Sequence, residues 1–359
     1  GLKNAFVGTA SSIRIKSDTH YNQLGYDDNT ITGVTVASKT PGTYANGLRV
    51  AIIDAKADQV LTVSGISTVG LGITQSAAGR IVAGAAGTSV LDGYIKGIVT
   101  EVGTGTISVK TLAHVSTAGT VTNVNYQNGG VYNFATGNIS ASAAGTNVGG
   151  TAQSVTAAVD WFEQQNIVLT QTDTNGNPLK LEWDALADRP STSTYVAARG
   201  GRFDELHVVV IDDKGTITGN AGTILEKHLN LSKAKDAEYS VGSTSYWRKY
   251  LATNSQYIYG GSAPGITTSA FVSGTATAIG NLDADSGWDQ DGGEVNFGLS
   301  GVVTSSLAGG TNYGDKTDYT TSGALTSGVD DLITGYGLFE NKEEIEVDFI
   351  LMGAAHHPK

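Results

Sequence analysis

Residues 204–218 read DELHVVVIDDKGTIT, and this stretch decides the fold of the region around it. Residues 206–211 form a nearly continuous apolar run, which favours a strand that is buried on both faces. Residues 212–215 are typical of a turn, because Gly215 can adopt a positive φ. Residues 216–218 then predict a new extended segment. The stretch therefore predicts a hairpin-like unit over residues 204–218.

Two further elements are predicted C-terminal to this unit. Residues 243–250 favour a helix, because aromatic side chains recur about one turn apart and Ser243 or Ser245 can cap its N terminus. Residues 256–259 predict a short aromatic strand that ends at the glycine pair following it.

The sequence between residues 59 and 154 is rich in Gly, Ala, Thr and Ser and predicts a separate β-rich module. We expect a small β-barrel or sandwich, inserted at an exposed loop so that the core of the parent domain stays intact. After it, residues 154–165 favour a short amphipathic helix whose Trp161 packs its ring into the core. The strands predicted within the module are residues 59–63, 94–100, 105–110 and 130–134.

The predicted fold class is α+β and β-rich, with a mixed-sheet domain that contains short helices and an inserted small β-barrel or sandwich. Residues 1–58 and 155–345 are expected to form the discontinuous sheet domain, and residues 59–154 the insertion. Residues 346–359 are expected to begin a truncated third domain, since 346–352 have the pattern of a buried strand and little sequence follows to cover it. Residues 269–328 are low in charge and predict a long surface excursion.

Composition excludes several functional classes. A hydrophobic content of 40% over 359 residues argues against a disordered chain. The formal charge of −12, without a cluster of Lys and Arg, argues against direct binding to nucleic acid. The absence of cysteine excludes disulfides, thiolate metal sites and a cysteine nucleophile. No apolar run reaches about 18 residues, so no membrane insertion is expected.

The polar residues of the apolar strand do not predict a catalytic site. Asp204 and His207 are three residues apart, so on a strand they point to opposite faces. Glu205 and His207 share a face, but no nucleophile stands beside them. We therefore expect His207 to be structural, and we expect no catalytic or cofactor-binding residues.

Acidic loops and terminal histidines do not predict a metal site. Residues 283–287 and 289–293 resemble calcium loops but lack the complete ligand spacing. His356 and His357 could bind a metal only with ligands from outside the chain. No metal or other cofactor is expected.

Three arginines precede the strand and two acids begin it. Arg189, Arg199 and Arg202 lie shortly before Asp204 and Glu205. Guanidinium groups can clamp carboxylates in a fixed geometry. Two interpretations stay open for these five residues. They form an internal brace between the preceding loop and the hairpin, or they bridge neighbouring subunits.

Five segments occur in an order that resembles the contractile tail sheath proteins of myovirus bacteriophages. In that family an RPGTS-like segment leads into a strand–turn–strand unit, and a "VLEKF-LSKA-DAK" segment, a tyrosine-rich helix and a short strand follow. The segments that carry the resemblance are KTPGTYANGLRVAI (39–52), RPSTSTYVAARGGRFDELHVVVIDDKGTITG (189–219), TILEKHLNLSKAKDAE (223–238), SYWRKYLATNSQYI (245–258) and GYGLFENKEEIEVDFILMG (335–353).

The resemblance implies a structural subunit that is not an enzyme. Copies would form a helical sleeve around the tail tube and contract by rigid-body rearrangement, driving the tube through the host envelope for genome ejection. The implied partners are other sheath copies, the tail tube protein, and the baseplate and tail terminator proteins. The implied location is the virion tail, assembled in the host cytoplasm. The chain would be an outer-domain fragment without the C-terminal assembly region, and by itself a monomer.

Two other classes of protein remain as alternatives. A β-rich surface adhesin or surface-layer fragment would share the Gly- and Thr-rich strands, the absence of cysteine and the acidity. A carbohydrate-active enzyme would need paired carboxylates in an aromatic cleft, and the sequence contains no positioned cluster of that kind.

Overall fold

The computed structural model describes residues 3–15, 17–23, 33–84, 87–124, 130–142, 151–264 and 287–312. The chain divides into two compact units, Lys3–Thr311 and the pair of segments Gly1–Leu2 and Asn312–Lys359. The architecture below is that of Lys3–Thr311. It is β-rich, with short helices and a closed six-stranded barrel, which confirms the predicted fold class.

The secondary structure of the described residues consists of many short strands and a few short helices. The strands are β1 (Phe6–Gly8), β2 (Val34–Ser38), β3 (Leu48–Asp54), β4 (Gln59–Val63), β5 (Gly72–Ser76), β6 (Ile81–Gly84), β7 (Gly87–Val90), β8 (Tyr94–Gly103), β9 (Thr106–Val115), β10 (Val121–Asn123), β11 (Gly137–Ser142), β12 (Thr151–Asp160), β13 (Asn166–Thr172), β14 (Pro178–Glu182), β15 (Glu205–Asp212), β16 (Thr223–Ser232), β17 (Glu238–Ser240), β18 (Ser243–Thr244), β19 (Ile258–Gly260) and β20 (Val302–Ser306). The α-helices are α1 (Asp18–Gln23), α2 (Trp183–Leu186), α3 (Thr194–Ala197) and α4 (Trp247–Asn254), and 3-10 helices cover Thr43–Gly47 and Phe162–Gln164.

The main sheet has the strand order β16–β15–β3–β20, with antiparallel neighbours. One of its two central strands is β15, which contains the apolar run, and both faces of this strand are buried. Val208 and Val210 face a cluster that includes Trp247, whereas Val209 faces a second cluster that includes Trp183. The predicted two-sided burial of this strand is therefore confirmed. A three-stranded sheet, β1–β2–β19, and three two-stranded hairpins, β6–β7, β13–β14 and β17–β18, complete the sheets outside the barrel.

The predicted return strand over residues 216–218 is wrong. These residues form a turn, and the strand that pairs with β15 is β16. The cause is the Asp212 carboxylate, which accepts hydrogen bonds from the backbone amides of Thr216 (2.9 Å), Ile217 (2.9 Å) and Thr218 (2.7 Å). Amides held by a side chain in this way do not enter a ladder, so the loop stays compact before β16 begins.

The barrel closes in the order β9–β4–β12–β11–β5–β8, and β8 pairs again with β9. Its interior is largely aliphatic, with Phe134 as its fully buried aromatic ring. The predicted strand over residues 130–134 is wrong, because the Gln59 side chain bonds to both the amide and the carbonyl of Phe134 (2.8 and 2.9 Å). A side chain thus replaces the strand partner, and the turn places the ring inside the barrel.

The predicted helix at residues 154–165 is also wrong. Residues 154–160 belong to β12, which pairs with β4, and only the 3-10 turn Phe162–Gln164 is helical. The ladder with β4 overrides the weak local helix pattern. Trp161 is 3% exposed and packs its ring into the core, as predicted, on the face of the main sheet that Val209 covers.

The elements after β16 are partly as predicted. The helix α4 begins at Trp247 rather than at residue 243, because Ser243 pairs in the hairpin β17–β18. Its N-cap residue is Tyr246, and neither predicted serine caps it with its side chain. The predicted aromatic strand is present as β19.

The surface excursion predicted for residues 269–328 is wrong for the described part, residues 287–312. Within them β20 adds to the main sheet beside β3, and Phe297, Leu299 and Leu307 are buried. The pairing with β3 gives this Gly-rich segment a place in the sheet that its composition did not indicate. Residues 269–286 and 313–328, the segment 335–353 and the proposed third domain at 346–359 lie outside the described residues. The predicted domain boundaries stay predictions.

Candidate functional site: the junction between barrel and sheet

The chain enters the barrel after Asp58 and leaves it at Asp160, and the two crossings lie side by side. The amide of Trp161 donates to the carbonyl of Asp58 (3.0 Å). Arg189 ties both crossings together, since its guanidinium donates to the carbonyl of Ala57 (3.2 Å) and to the carboxylate of Asp160. This arginine therefore holds the two segments that connect the barrel to the sheet.

A buried ion pair lies directly beside the crossings. Lys110, on β9, places its Nζ 2.8 Å from Asp58 Oδ1, and the amide of Thr111 donates to Oδ2 (2.8 Å). The two side chains are 4% and 0% exposed. Burial lowers the pKa of Lys110, and the charge of Asp58 opposes this shift. The pair links the barrel strand β9 to the segment that leads from the sheet into the barrel. Loss of either partner would leave an unpaired buried charge.

Arg202 makes a second connection, from the loop before β15 to the barrel. Its Nη2 donates to the carbonyls of Leu112 (3.0 Å) and Val124 (2.7 Å). Burial lowers the pKa of Arg202 to about 10, against the raising effect of Asp58, so the group stays charged at neutral pH. The guanidinium thereby satisfies two carbonyls at the end of the barrel that faces the sheet domain.

An apolar cluster fills the space between these charged groups. Phe203 packs with Ile98 and Leu112 of the barrel and with Leu299, which precedes β20. Its ring also lies under two cations, 5.0 Å from Lys110 Nζ and 4.5 Å from the Arg202 guanidinium carbon. Phe203 has φ +67, a strained conformation for a bulky residue that persists only where its surroundings enforce it.

The other predicted brace residues act within the sheet domain. Asp204 accepts from the amide of Ser193 (2.8 Å), and Glu205 from the amide of Ser191 (2.8 Å). Burial raises the pKa of Glu205, and the charge of Asp204 adds to the shift. Arg199 is exposed and stacks on the Tyr195 ring at 3.5 Å. The acids therefore hold the loop before the strand, while Arg189 and Arg202 reach the crossings and the barrel. A bridge between subunits stays a prediction.

His207 has both ring nitrogens engaged inside the chain. Nε2 donates to the carbonyl of Asp188 (2.7 Å), and Nδ1 accepts from the amide of Asn230 (3.0 Å). Burial lowers its pKa, so the neutral ring is favoured. These contacts agree with the structural role expected for it.

A second buried pair, Lys233 and Asp54, was not predicted from the sequence. Lys233 Nζ lies 2.8 Å from Asp54 Oδ2 and also donates to the carbonyls of Phe203 (3.1 Å) and Gly298 (2.6 Å). Both side chains are 0% exposed. In the sequence Lys233 sits among other lysines and acids, and only the run LSKAKDAE, which continues an apolar strand, could have indicated a buried position.

The acidic residues considered as metal ligands do not form a metal site in the described part of the chain. Within the described ranges, no three His, Asp or Glu side chains gather as metal ligands. Asp289, from one calcium-like loop, instead accepts from the hydroxyl of Tyr246 (2.6 Å) and from Arg248 (3.2 Å). Residues 283–286, His356 and His357 lie outside the described residues.

An open cleft of about 560 Å³ lies on the barrel wall. Arg80, which lines it, donates to the carbonyl of Val131 (2.8 Å).

Among the helices of the described segments, none is long and apolar enough to cross a membrane. No protein-family model, curated protein or solved structure matches the chain. The geometry of the junction itself indicates mechanical coupling, because its charged groups contact barrel and sheet at the same time.

Proposed function

We propose that the chain is a structural subunit of a phage contractile tail sheath. The observation that carries this proposal is the position of residues 189–219, whose sequence resembles the sheath proteins. This one segment supplies Arg189 and Arg202 to the junction and supplies β15, a central strand of the main sheet. This segment forms part of the core of the main sheet and also contacts the barrel. Such a double role suits a protein whose function is mechanical.

The junction supports the rigid-body movement that sheath contraction requires. Barrel and sheet belong to one compact unit, Lys3–Thr311, and the buried Lys110–Asp58 pair and an apolar cluster join them. A subunit that rotates within a lattice transmits force only if its parts do not slide over one another. The barrel and the sheet would therefore move together.

The role requires no catalytic site and no cofactor. Contraction would draw its free energy from better contacts among sheath copies. A gain of roughly 500 Å² of buried apolar surface per subunit corresponds to a gross stabilisation of about 12 kcal/mol, from which polar desolvation subtracts. The partners would be other sheath copies, the tube protein, and the baseplate and terminator proteins, in a virion tail assembled in the host cytoplasm.

Antibodies against the purified chain test the proposal. They are applied to a lysate of cells that express the coding sequence with its neighbouring genes, and labelled particles are imaged by negative-stain electron microscopy. Regular labelling along striated sleeves is the expected result. Labelling of the cell surface would favour the adhesin or surface-layer alternative, and labelling of neither structure would contradict the proposal.

A further inference from the structure

Lys233 and Asp54 meet in a fully enclosed site at the centre of the sheet domain. Asp54 is the last residue of β3, and Lys233 directly follows β16. Both side chains are 0% exposed, and Nζ lies 2.8 Å from Oδ2. The Trp288 ring lies 5.0 Å from the same nitrogen and helps to exclude water.

The surroundings of Asp54 resemble an oxyanion hole. The amide of Ser300 donates to Oδ2 (2.7 Å), and the amide of Gly301 donates to Oδ1 (2.7 Å). The Gly301 amide stabilises the negative charge that grows on Oδ1 when a nucleophile attacks the carbon, and the Ser300 amide polarises the bond to Oδ2, the oxygen that would leave. The nucleophile is already in place, because the nitrogen is within hydrogen-bond distance of the group that it would attack.

The surroundings of Lys233 hold its amine in a fixed direction. Its remaining donors go to the carbonyls of Phe203 and Gly298, and the strained φ of Phe203 contributes to the position of that carbonyl. Burial lowers the pKa of Lys233, against the charges of Asp54 and Asp204. Desolvation therefore increases the share of neutral amine, which is the reactive form.

We propose that Lys233 and Asp54 join in an intramolecular amide bond. The Nζ–Cγ bond forms, the Cγ–Oδ2 bond breaks, and Oδ2 leaves as water with two protons from the ammonium group. The third proton stays on the amide nitrogen. The ammonium and carboxylate together contain all the atoms of the amide and the water, so the reaction needs no oxidant, reductant or other reactant.

The other buried pair, Lys110 and Asp58, is a natural control. Its Nζ–Oδ1 distance is also 2.8 Å, but one backbone amide, that of Thr111, donates to the carboxylate instead of two on opposite oxygens. Lys110 also lies within the electrostatic influence of Arg189 and Arg202, whereas Lys233 lies near a second carboxylate, Asp204. We expect the Lys110 pair to stay ionic.

The bond would have a mechanical consequence. Its two ends are 179 positions apart in sequence, so it would close the whole barrel and the strands β13 to β16 into one covalent loop. The chain contains no cysteine, and this amide would supply the covalent restraint that disulfides supply elsewhere. The inference does not depend on the proposed sheath function.

Intact-mass spectrometry of the purified chain under denaturing conditions tests the bond. We expect a mass lower than that of the sequence by one water molecule, and a branched proteolytic peptide that joins residues 54 and 233. The variant Lys233→Arg, which keeps the cation but cannot form this amide, should have its full sequence mass. The variant Lys110→Met should keep the deficit.

Aspartyl succinimides produce the same mass deficit but reopen in mild base, so the sample is measured again after that treatment. A deficit that persists and maps to residues 54 and 233 supports the bond. The full sequence mass in the unmodified chain, a deficit that disappears in base, or one that maps to other residues overturns it.

Discussion

The main sheet and the barrel are stabilised in different ways. The four tryptophans of the chain, Trp161, Trp183, Trp247 and Trp288, all pack in the clusters on the two faces of the main sheet. Among the described residues, the interior of the barrel is aliphatic apart from Phe134 and the partly buried Tyr132. An open sheet needs bulky cover on both faces, whereas a barrel encloses its own interior. Each region has its own core, so their coupling depends on the junction.

The largest effect is expected where that junction buries charge. Asp58→Ala leaves Lys110 unpaired and should lower the free energy of unfolding by about 3–5 kcal/mol. Urea denaturation followed by far-UV circular dichroism measures this loss. The double variant Asp58→Ala, Lys110→Met should recover most of it, because the buried lysine charge is then removed together with its partner. A single variant within about 1 kcal/mol of the parent chain would show that the pair does not stabilise the junction.

A smaller effect is expected from Arg202→Met. The change removes two charge-assisted hydrogen bonds to barrel carbonyls and should cost about 1.5–3 kcal/mol. It should also weaken the coupling, so that amide exchange in the barrel strands becomes faster than exchange in β15. Arg199→Met is the matched control, since Arg199 contacts Tyr195 within its own loop. Equal effects of the two substitutions on barrel exchange would argue against the role of Arg202.

A pH effect is expected at Asp212 on the sheet side. Burial acts to raise the pKa of Asp212, but the amides and hydroxyl of residues 216–218 outweigh it, so the pKa lies below its usual value. Its stabilising contribution is therefore complete above the pKa of the unfolded chain and is lost as pH falls through the folded pKa.

This contribution should be of the order of a helix cap, about 1 kcal/mol. Urea midpoints at pH 5 and pH 3 should differ less for Asp212→Asn than for the parent chain. The exposed barrel residue Asp92 also has a lowered pKa, chiefly through the Thr117 hydroxyl. Asp92→Asn should keep the pH dependence of the parent chain, because solvent screens its charge. A parent-like pH dependence in Asp212→Asn would contradict the assignment.

The smallest effects are expected at exposed apolar positions of both regions. Val241, at the turn between β17 and β18, is 101% exposed, and Val121 in β10, which pairs with the barrel strand β9, is 62% exposed. Replacement of either by Thr should change the free energy of unfolding by less than about 0.5 kcal/mol. A loss above about 1 kcal/mol at either position would indicate a contact that the burial pattern does not reveal.

The sequence predicted those elements whose local pattern and tertiary environment agree. The run at 206–211 and the strand β4 are apolar or alternating, and both lie where their patterns indicate. The pattern failed where a distant partner decides the conformation. The carboxylate of Asp212 keeps residues 216–218 out of the ladder, and β4 draws residues 154–160 into a strand.

The candidate site was predicted by residue type but not by contact. Arg189 and Arg202 were selected as brace residues, yet the carbonyls of Ala57 and Leu112 that they contact lie 132 and 90 positions earlier in the chain. The Lys233 pair spans 179 positions, and no local signal identifies Asp54 as the partner. Hydrophobic periodicity reports only which face of an element is buried, so it cannot identify partners at such separations.

The coupling of barrel and sheet is tested most directly in the unmodified chain, because all four tryptophans report on the sheet and none on the barrel. Urea unfolding is followed by tryptophan fluorescence, and at each urea concentration pulsed hydrogen exchange with mass spectrometry measures the exposure of β8 and β9. Coincident midpoints are the predicted result, since the junction makes the two regions one cooperative unit. Loss of protection in the barrel strands while the fluorescence is still native would contradict it.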